Sequence, residues 1–309
     1  MPPRISAIVC TQDRAAYLAK ALRSLAAQTL VPDAYEVVVV DNASRDETPA
    51  VIAAAARGAV PLIAVHEARR GLAHARNAGL RAAGAPFVAY LDDDAIASPA
   101  WLATLLAVFE EERPTPGCAG GRVDPIWEAP RPAWLSDALL PYLTVVDWTP
   151  APGVLEEPRY IAGANLAFAR AALEAVGGFA PELGRVGSVL LSNEEILVER
   201  RLRRRGYTCY YHPAAAVAHH VPASRLDRRW FLDRFWWQGV SDAVLETLDD
   251  RRPAWRRIAR GMRRGLLPAL RGWRPGGAAS AHPAAFLAAC QARHDLAYGL
   301  GLLRGARRG

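Results

Sequence analysis

Three carboxylates in a row, Asp92, Asp93 and Asp94, follow the apolar run Phe87–Leu91. Like charges held side by side either raise a pKa or take up a counter-charge. Asp92 and Asp94, two residues apart at a strand end, turn toward one point. Their hard oxygens suit Mg²⁺ or Mn²⁺ that also holds substrate phosphates. The alternative is a helix cap ahead of "SPAWLATLLAVFEEE", where acidic residues are favourable and Ser98–Pro99 makes an N-cap and first-position pair. A second acidic pair, Glu194–Glu195, opens the helical-looking "NEEILVERRLRRR" and is either a general base or ordinary helix N-terminal charge. His219 closes the strand-like "AAAVAH" and is either a metal ligand or a structural histidine; His220 is the weaker candidate.

The elements that must position these residues alternate along the first 92 positions. "ISAIVC" and "YEVVVV" have the β-branched composition of buried parallel strands. "AAYLAKALRSLAAQ" between them has apolar residues at helical spacing. "TPAVIAAAARG", "VPLIAVHE", "GLAHARNAGLRAAG" and "PFVAYL" continue as helix, strand, helix and strand. Such a β-α-β unit binds ligands at the carboxyl ends of its strands. That edge collects Thr11, Gln12 and Asp13, then Asp41 and Asn42, then Asp92 to Asp94. Neither a G-x-G-x-x-G after the first strand nor a P-loop is present, so positive charge for a phosphate must come from elsewhere.

Composition narrows the class. The chain has 309 residues, 51% hydrophobic and 22% charged, enough for one large domain or a domain with an appended subdomain. Cys10, Cys118, Cys209 and Cys290 are widely spaced, which speaks against a disulfide framework or a zinc site and for a reducing compartment. The N-terminus enters a strand-like run without a signal-peptide pattern. No apolar stretch approaches the roughly 18–20 residues of a membrane span. A cytoplasmic protein is expected. The net charge of +7 is uneven: from Arg225 onward there are 17 arginines against seven acidic residues, so the rest of the chain is net acidic. The tail interleaves these arginines with Trp230, Phe231, Phe235, Trp236 and Trp237. It either packs against the catalytic domain or lies on an anionic membrane surface; no nucleic-acid module accompanies it.

Taken together, residues 4 to 222 resemble the family-2 glycosyltransferases of GT-A fold. Four segments in family order carry the resemblance: "SAIVCTQDR", "EVVVVDNASRDET", "RGLAHARNAGLRAAGAPFVAYLDDDA" and "NEEILVERRLRRRGYTCYYHPAAAVAHH". The resemblance implies a mixed, mainly parallel α/β sheet flanked by helices, with a helical C-terminal extension. It places residues 1–100 in a nucleotide-binding half, 101–224 in an acceptor half and 225–309 in the extension. Thr11, Asp13 and Arg14 fall in the nucleotide-contact turn, Asp41 at the base-contacting carboxylate and Arg76 on the helix near the nucleotide. Asp92, Asp93 and Asp94 fill the DXD region, with Asp94 as direct metal ligand, Asp92 toward ribose and metal, and His219 toward metal and diphosphate. Asn165 lies in a small-residue turn that either faces the sugar or has only a turn role. Glu195, or Glu194 if the register differs by one, corresponds to the acceptor-side base. "CTQDR" departs from the family with Gln12 and Asp13 in place of Tyr and Asn, and "NEEI" with Glu195 in place of Asp.

The activity so implied is metal-dependent transfer of a sugar, with inversion, from a nucleotide diphosphate to a hydroxyl acceptor. UDP is the family's commonest nucleotide, and bacterial surface-polysaccharide or specialised-metabolite glycosylation its usual work. Two other readings stay open: a nucleotidyltransferase on the same scaffold, and a non-catalytic nucleotide-sugar-binding scaffold protein. The segment between Arg113 and Gly153, rich in Pro, Gly and Trp, reads as an irregular excursion.

Overall fold

Alternation along three strands decides which helices each face receives. In β1 (Ile5–Thr11), Ile5, Ala7 and Val9 join one core and Ile8 the other. In β2 (Tyr35–Asp41), Val37 and Val39 oppose Val38 and Val40, and in β4 (Phe87–Asp92), Ala89 and Leu91 oppose Val88 and Tyr90. Both faces are apolar, as a strand covered on both sides requires. α1 (Ala15–Ala26), α2 (Thr48–Ala55) and α4 (Trp101–Glu111) cover the first face through Leu18, Leu22, Leu25, Ile52, Trp101 and Leu105. α3 (Leu72–Ala82), α5 (Arg170–Ala175) and α6 (Glu194–Arg204) contribute Leu80, Leu173, Val198 and Leu202 to the second. Each such buried side chain contributes roughly 1.5–3 kcal/mol. A Cβ on Gly79 would lie 2.5 Å from Ile8, so α3 sits against β1 only because this position has no side chain.

The computed structural model describes residues 2–187, 189–249, 254–261, 263, 266 and 282–306. β3 (Leu62–His66), β6 (Cys118–Gly120), β8 (Gly153–Val154), β9 (Asn165–Ala169) and β10 (Cys209–Tyr211) complete a sheet of order β3-β2-β1-β4-β9-β6-β10-β8. β3, β2, β1 and β4 are mutually parallel, and β9 runs antiparallel between β4 and β6. A small second sheet holds β5 (Ala95–Ala97), β11 (Val217–Val221) and β7 (Val123–Trp127). This is the expected mixed, mainly parallel α/β sheet.

One alternative falls away and two local expectations change. Asp92–Asp94 do not cap a helix: β5 follows them, and α4 begins at Trp101. Ser98 is not its N-cap, because that position falls at Ala100 and the Ser98 hydroxyl makes no hydrogen bond among the described residues. The excursion between Arg113 and Gly153 is not wholly irregular, since it contains β6, β7 and a 3-10 helix at Asp137–Leu143. β6 is too short, and too rich in small residues, to show a period.

The chain divides into two compact units. One comprises Met1–Ile126, Thr144–Pro181 and Val198–His220, and contains the large sheet. The other comprises Trp127–Leu143, Glu182–Leu197 and Val221–Gly309, so it takes in two segments besides the C-terminal stretch. Among the described residues it holds the start of α6 together with α7 (Arg228–Asp249), α8 (Ala254–Gly261) and α9 (Pro283–Ala306). Phe231 and Phe235 are buried, with rings against Trp134 and Tyr142 at 5.5 and 4.0 Å between centroids, so these tail aromatics pack inside their own unit. Residues 267–281 of the basic stretch lie outside the described residues. No helix among the described residues is long and apolar enough to cross a membrane.

Candidate active site

Strand register aligns the polar ends. Thr11 pairs with Asp41, Asp41 with His66, and Cys10 with Asp92, which sets the carboxyl ends of β1, β2, β3 and β4 in one row. β11 brings His219 opposite Ala95, one residue beyond Asp94, and the His220 amide donates to the Asp94 carbonyl at 2.9 Å. One atom each from Asp92, Asp94 and His219 lies within 4.8 Å of the others.

Arginines neutralise this cluster. Arg14 Nη1 donates to Asp93 Oδ1 at 3.0 Å and to Asp94 Oδ2 at 2.7 Å, and Thr11 Oγ1 donates to Asp93 Oδ2 at 2.7 Å. His219 Nε2 lies 3.1 Å from Asp94 Oδ1. Burial pushes the Asp93 carboxyl up, against the pull of Arg14, to about 7. Burial works against the charge of Arg14, but Asp93 and Asp94 outweigh it and raise the guanidinium above its ordinary value. Arg76 is almost fully buried, with Nη2 3.3 Å from Asp92 Oδ1 and 3.0 Å from the Gly163 carbonyl, and its guanidinium lies over the Phe179 ring at 5.3 Å.

Two carboxylates and an imidazole match the donor chemistry of a divalent ion; the carboxylates suit Mg²⁺ or Mn²⁺ and the imidazole tilts the set toward Mn²⁺. His219 Nδ1 is buried and makes no hydrogen bond among the described residues, an orphan that coordination or a second partner would satisfy. Arg14, whose side chain is 37% exposed, has room to withdraw from Asp94.

The turns beside the cluster are laced together. Asp13, at φ 53°, accepts from the Arg45 amide through Oδ1, while its own amide donates to Ser44 Oγ. Asp41 Oδ1 accepts from the Ser44 amide. Asp46, which the sequence reading missed, receives the Ala15 amide at the start of α1 and both the amide and hydroxyl of Thr48 at the start of α2. These bonds, that of the Thr48 hydroxyl first, hold its carboxyl below the usual range. Its signal was available: an acidic residue just ahead of Thr48–Pro49 is a helix-start pattern.

Asn165 closes a small-residue turn, its amide donating to the Ala162 carbonyl at 2.9 Å, but its side chain faces inward. It is the first residue of β9, fully buried; it accepts from Trp101 Nε1 at 2.7 Å and donates to the carbonyls of Arg122 and Ala215. Its amide therefore ties strand ends together beneath the site.

Glu194 and Glu195 do open α6, and they belong to the second unit. Glu194 is buried, whereas Glu195 is half-buried. A second group with ligand-like spacing, Cys118, Glu199 and Cys209, lies in the core. Burial, followed by the nearby Cys209, raises the Glu199 carboxyl well above its ordinary value. Both its oxygens are already engaged, Oε1 by the Ile161 amide and Oε2 by Arg203, so this group reads as core structure. An apolar cavity of about 370 Å³ beside α1 and α2, lined by Leu22, Val37, Val51 and Leu62, offers Arg23 as its one charged wall residue and has no feature suited to a nucleotide.

Residues 6–144 match the family model described as Glycosyl transferase family 2. The glucosyl-dolichyl phosphate glucuronosyltransferase of Haloferax volcanii is 29% identical over 250 residues, 79% of this chain and 78% of that protein. Residues 6–144 are thus those of a glycosyltransferase family 2 domain. Another relative in the family, the validoxylamine A glucosyltransferase of Streptomyces hygroscopicus subsp. limoneus, is 31% identical over 172 residues, 47% of this chain and 37% of that protein. Among solved structures, the mannosyltransferase PcManGT of Pyrobaculum calidifontis, in complex with GDP-Man and Mn²⁺, superposes with a TM-score of 0.61 at 24% identity. The match covers 94% of this chain and 86% of that one. The crystal structure of S. aureus TarS 1-349 gives 0.57 at 18% identity, covering 99% and 92%. These two likenesses concern the fold, which is that of GT-A glycosyltransferases.

Proposed function

We propose that this family-2 glycosyltransferase is a metal-dependent, inverting enzyme that moves a sugar from a nucleoside diphosphate, with UDP the first candidate, to an acceptor hydroxyl. The observation that carries the reading is the convergence of Asp92, Asp94 and His219 on one point at the carboxyl edge of the sheet, with Arg14 and Arg76 alongside. A divalent ion held there by Asp92, Asp94 and His219 would supply positive charge to the departing diphosphate. That the P. calidifontis relative in fold holds GDP-Man and Mn²⁺ supports this assignment.

The remaining roles fall to the protein's own side chains. Asp41 and the Thr11–Asp13 turn would hold the nucleoside, and Arg14, released from Asp94, would meet phosphate oxygens. Glu195 would take the proton of the acceptor hydroxyl, whose oxygen then bonds to the anomeric carbon as the nucleoside diphosphate leaves with its electron pair. One displacement inverts the configuration, and no protein nucleophile is needed. Greater exposure favours Glu195 over the buried Glu194 as the base.

Thermal unfolding with UDP-, GDP- and TDP-sugars, each with Mn²⁺ and with EDTA, tests the donor side, because a ligand bound to the native state raises the melting temperature. A Mn²⁺-dependent rise with one nucleotide names the donor class, and no rise with any of them removes the metal-dependent reading. Glu195→Gln is expected to keep that rise and to lose transfer by at least about 10²-fold, the scale of a general base. Full activity in this variant would move the base elsewhere.

A further inference from the structure

The residue ahead of the acid pair is held in an unusual way. Asn193 has φ +77°, a conformation that L side chains rarely adopt, and is buried. Its carbonyl accepts the Leu197 amide, so Asn193 is the cap residue from which α6 departs. Its side chain points into α7: Nδ2 donates to Asp242 Oδ1 at 2.6 Å, and Oδ1 accepts from Gln238 Nε2 at 2.9 Å. The preceding residue is tied to the same helix, with the Ser192 amide donating to Ser241 Oγ at 3.0 Å and Arg234 Nη2 donating to Ser192 Oγ at 3.2 Å.

Asp242 is itself clamped. Gln238 Nε2 donates to its Oδ1 at 2.8 Å, and His294 Nε2 lies 2.9 Å from its Oδ2. The other ring nitrogen of His294 lies 2.9 Å from Asp295 Oδ1. An imidazole with a carboxylate on each side donates to both only when doubly protonated. The helices meet closely enough for this because α7 carries glycine at the crossing: a Cβ on Gly239 would lie 2.2 Å from the His294 carbonyl oxygen.

We propose that Asp242, clamped by His294, is a positioning residue for the reaction: through Asn193 it fixes the first turn of α6 and with it the carboxylate of Glu195. The proposal rests on the reading of Glu195 as the base. It assigns the C-terminal helices a part in the chemical step, in addition to any role in docking. A carboxylate misplaced by an ångström costs a general base much of its rate while leaving donor binding intact.

The clamp also carries a pH signature. His294 is faced by Asp242 from α7 and by Asp295 and Gln291 from α9, with the Tyr298 ring stacked at 6.3 Å; Tyr142, Arg234 and Cys290 share the surroundings of the two carboxylates. Burial lowers the His294 pKa, but the hydrogen bonds to Asp242 and Asp295 outweigh it and raise it to about 9. The clamp is therefore closed at neutral pH and opens as pH rises through about 9.

The test uses the full chain with three substitutions, Asp242→Asn, His294→Gln and Asn193→Gly, the last keeping the backbone conformation accessible while removing the tether. Amide hydrogen exchange is followed at residues 193–197, with Val37–Val40 of the central sheet as internal reference. Nucleoside diphosphate release is followed with the nucleotide sugar selected by thermal unfolding. Expected are a tenfold or greater loss of protection at 193–197 with the reference unchanged, and a tenfold or greater loss of kcat at unaltered donor KM. An alkaline limb near pH 9 is expected in the parent and not in His294→Gln. Equal loss of protection in both regions would mean a merely structural role and would overturn the proposal, as would unchanged local protection or wild-type kcat in all three variants. Glu195→Gln, run in parallel, separates the two readings: full activity there overturns the base assignment, whereas an inactive Glu195→Gln beside fully active tether variants overturns positioning alone.

Discussion

The two units hold their carboxylates in opposite ways. In the sheet unit, Asp92, Asp93 and Asp94 are neighbours in sequence, and Arg14, Arg76 and the His219 ring come to them from elsewhere in the chain. In the helical unit, Asp242 and Asp295 come from separate helices and converge on one imidazole. The first arrangement concentrates carboxylates at a strand edge, partly open through Asp92 and Arg14, and leaves a ring nitrogen of His219 without a partner among the described residues. The second pairs both ring nitrogens of its histidine. A buried nitrogen left without a partner marks a place prepared for a ligand, and a fully paired one marks a place prepared to stay still.

That contrast breaks first at Asp94. Asp94→Ala removes a donor of the proposed ion site, and transfer is expected to fall on the order of 10²–10³-fold, the scale of losing one charge-stabilising group. The Mn²⁺-dependent rise in melting temperature should vanish with it, and an undiminished rise would reassign the cluster. A smaller effect is expected at Asn165. Asn165→Ala removes the partner of the buried Trp101 Nε1 and a donor to the Ala215 carbonyl, and should cost roughly 2–4 kcal/mol in urea unfolding, since each unmade buried hydrogen bond costs about 1–3 kcal/mol. Its donor KM should be unchanged; a raised KM with intact stability would return Asn165 to the binding surface.

The third prediction concerns pH. His294 has a folded pKa above its unfolded one, so its contribution is fully present below about 6.5 and is lost as pH rises through about 9. At pH 7 the difference corresponds to on the order of 2–3 kcal/mol. Urea unfolding of the parent should therefore weaken between pH 7 and 10 more steeply than that of His294→Gln. Parallel profiles would show that the imidazole is not charged in the folded protein.

Much of the sheet unit was legible because its information is local. β-branched runs gave the strands, a 3.6-residue apolar spacing gave α1, and the edge rule gathered Thr11, Asp41 and Asp92–Asp94 before any register was known. Ser98–Pro99 misled because the pair has the chemistry of a cap, while the backbone of Ser98 is drawn into the small sheet by Ala216. The turn in "AGAN" is there, with the Asn165 backbone closing on Ala162, but the partners of its side chain are 43, 50 and 64 positions away and leave no local trace. The helical unit was hidden for the same reason. Asn193 meets Asp242 across 49 positions and Asp242 meets His294 across 52, and neither spacing leaves a periodic trace. Only the presence of helices in the tail, and not their attachment to residues 192 and 193, followed from the sequence.

The close crossing at Gly239 sets a rule for recombining this chain with its relatives. Because α7 and α9 approach backbone to backbone, and because α7 also grips residues 192 and 193 and packs Phe231 and Phe235 on Trp134 and Tyr142, the segments Trp127–Leu143, Glu182–Leu197 and Val221–Gly309 form one unit of inheritance. A chimera that takes the tail from one glycosyltransferase and the start of α6 from another inherits a lock and key cut by different hands, whereas exchanging all three segments together preserves the fit.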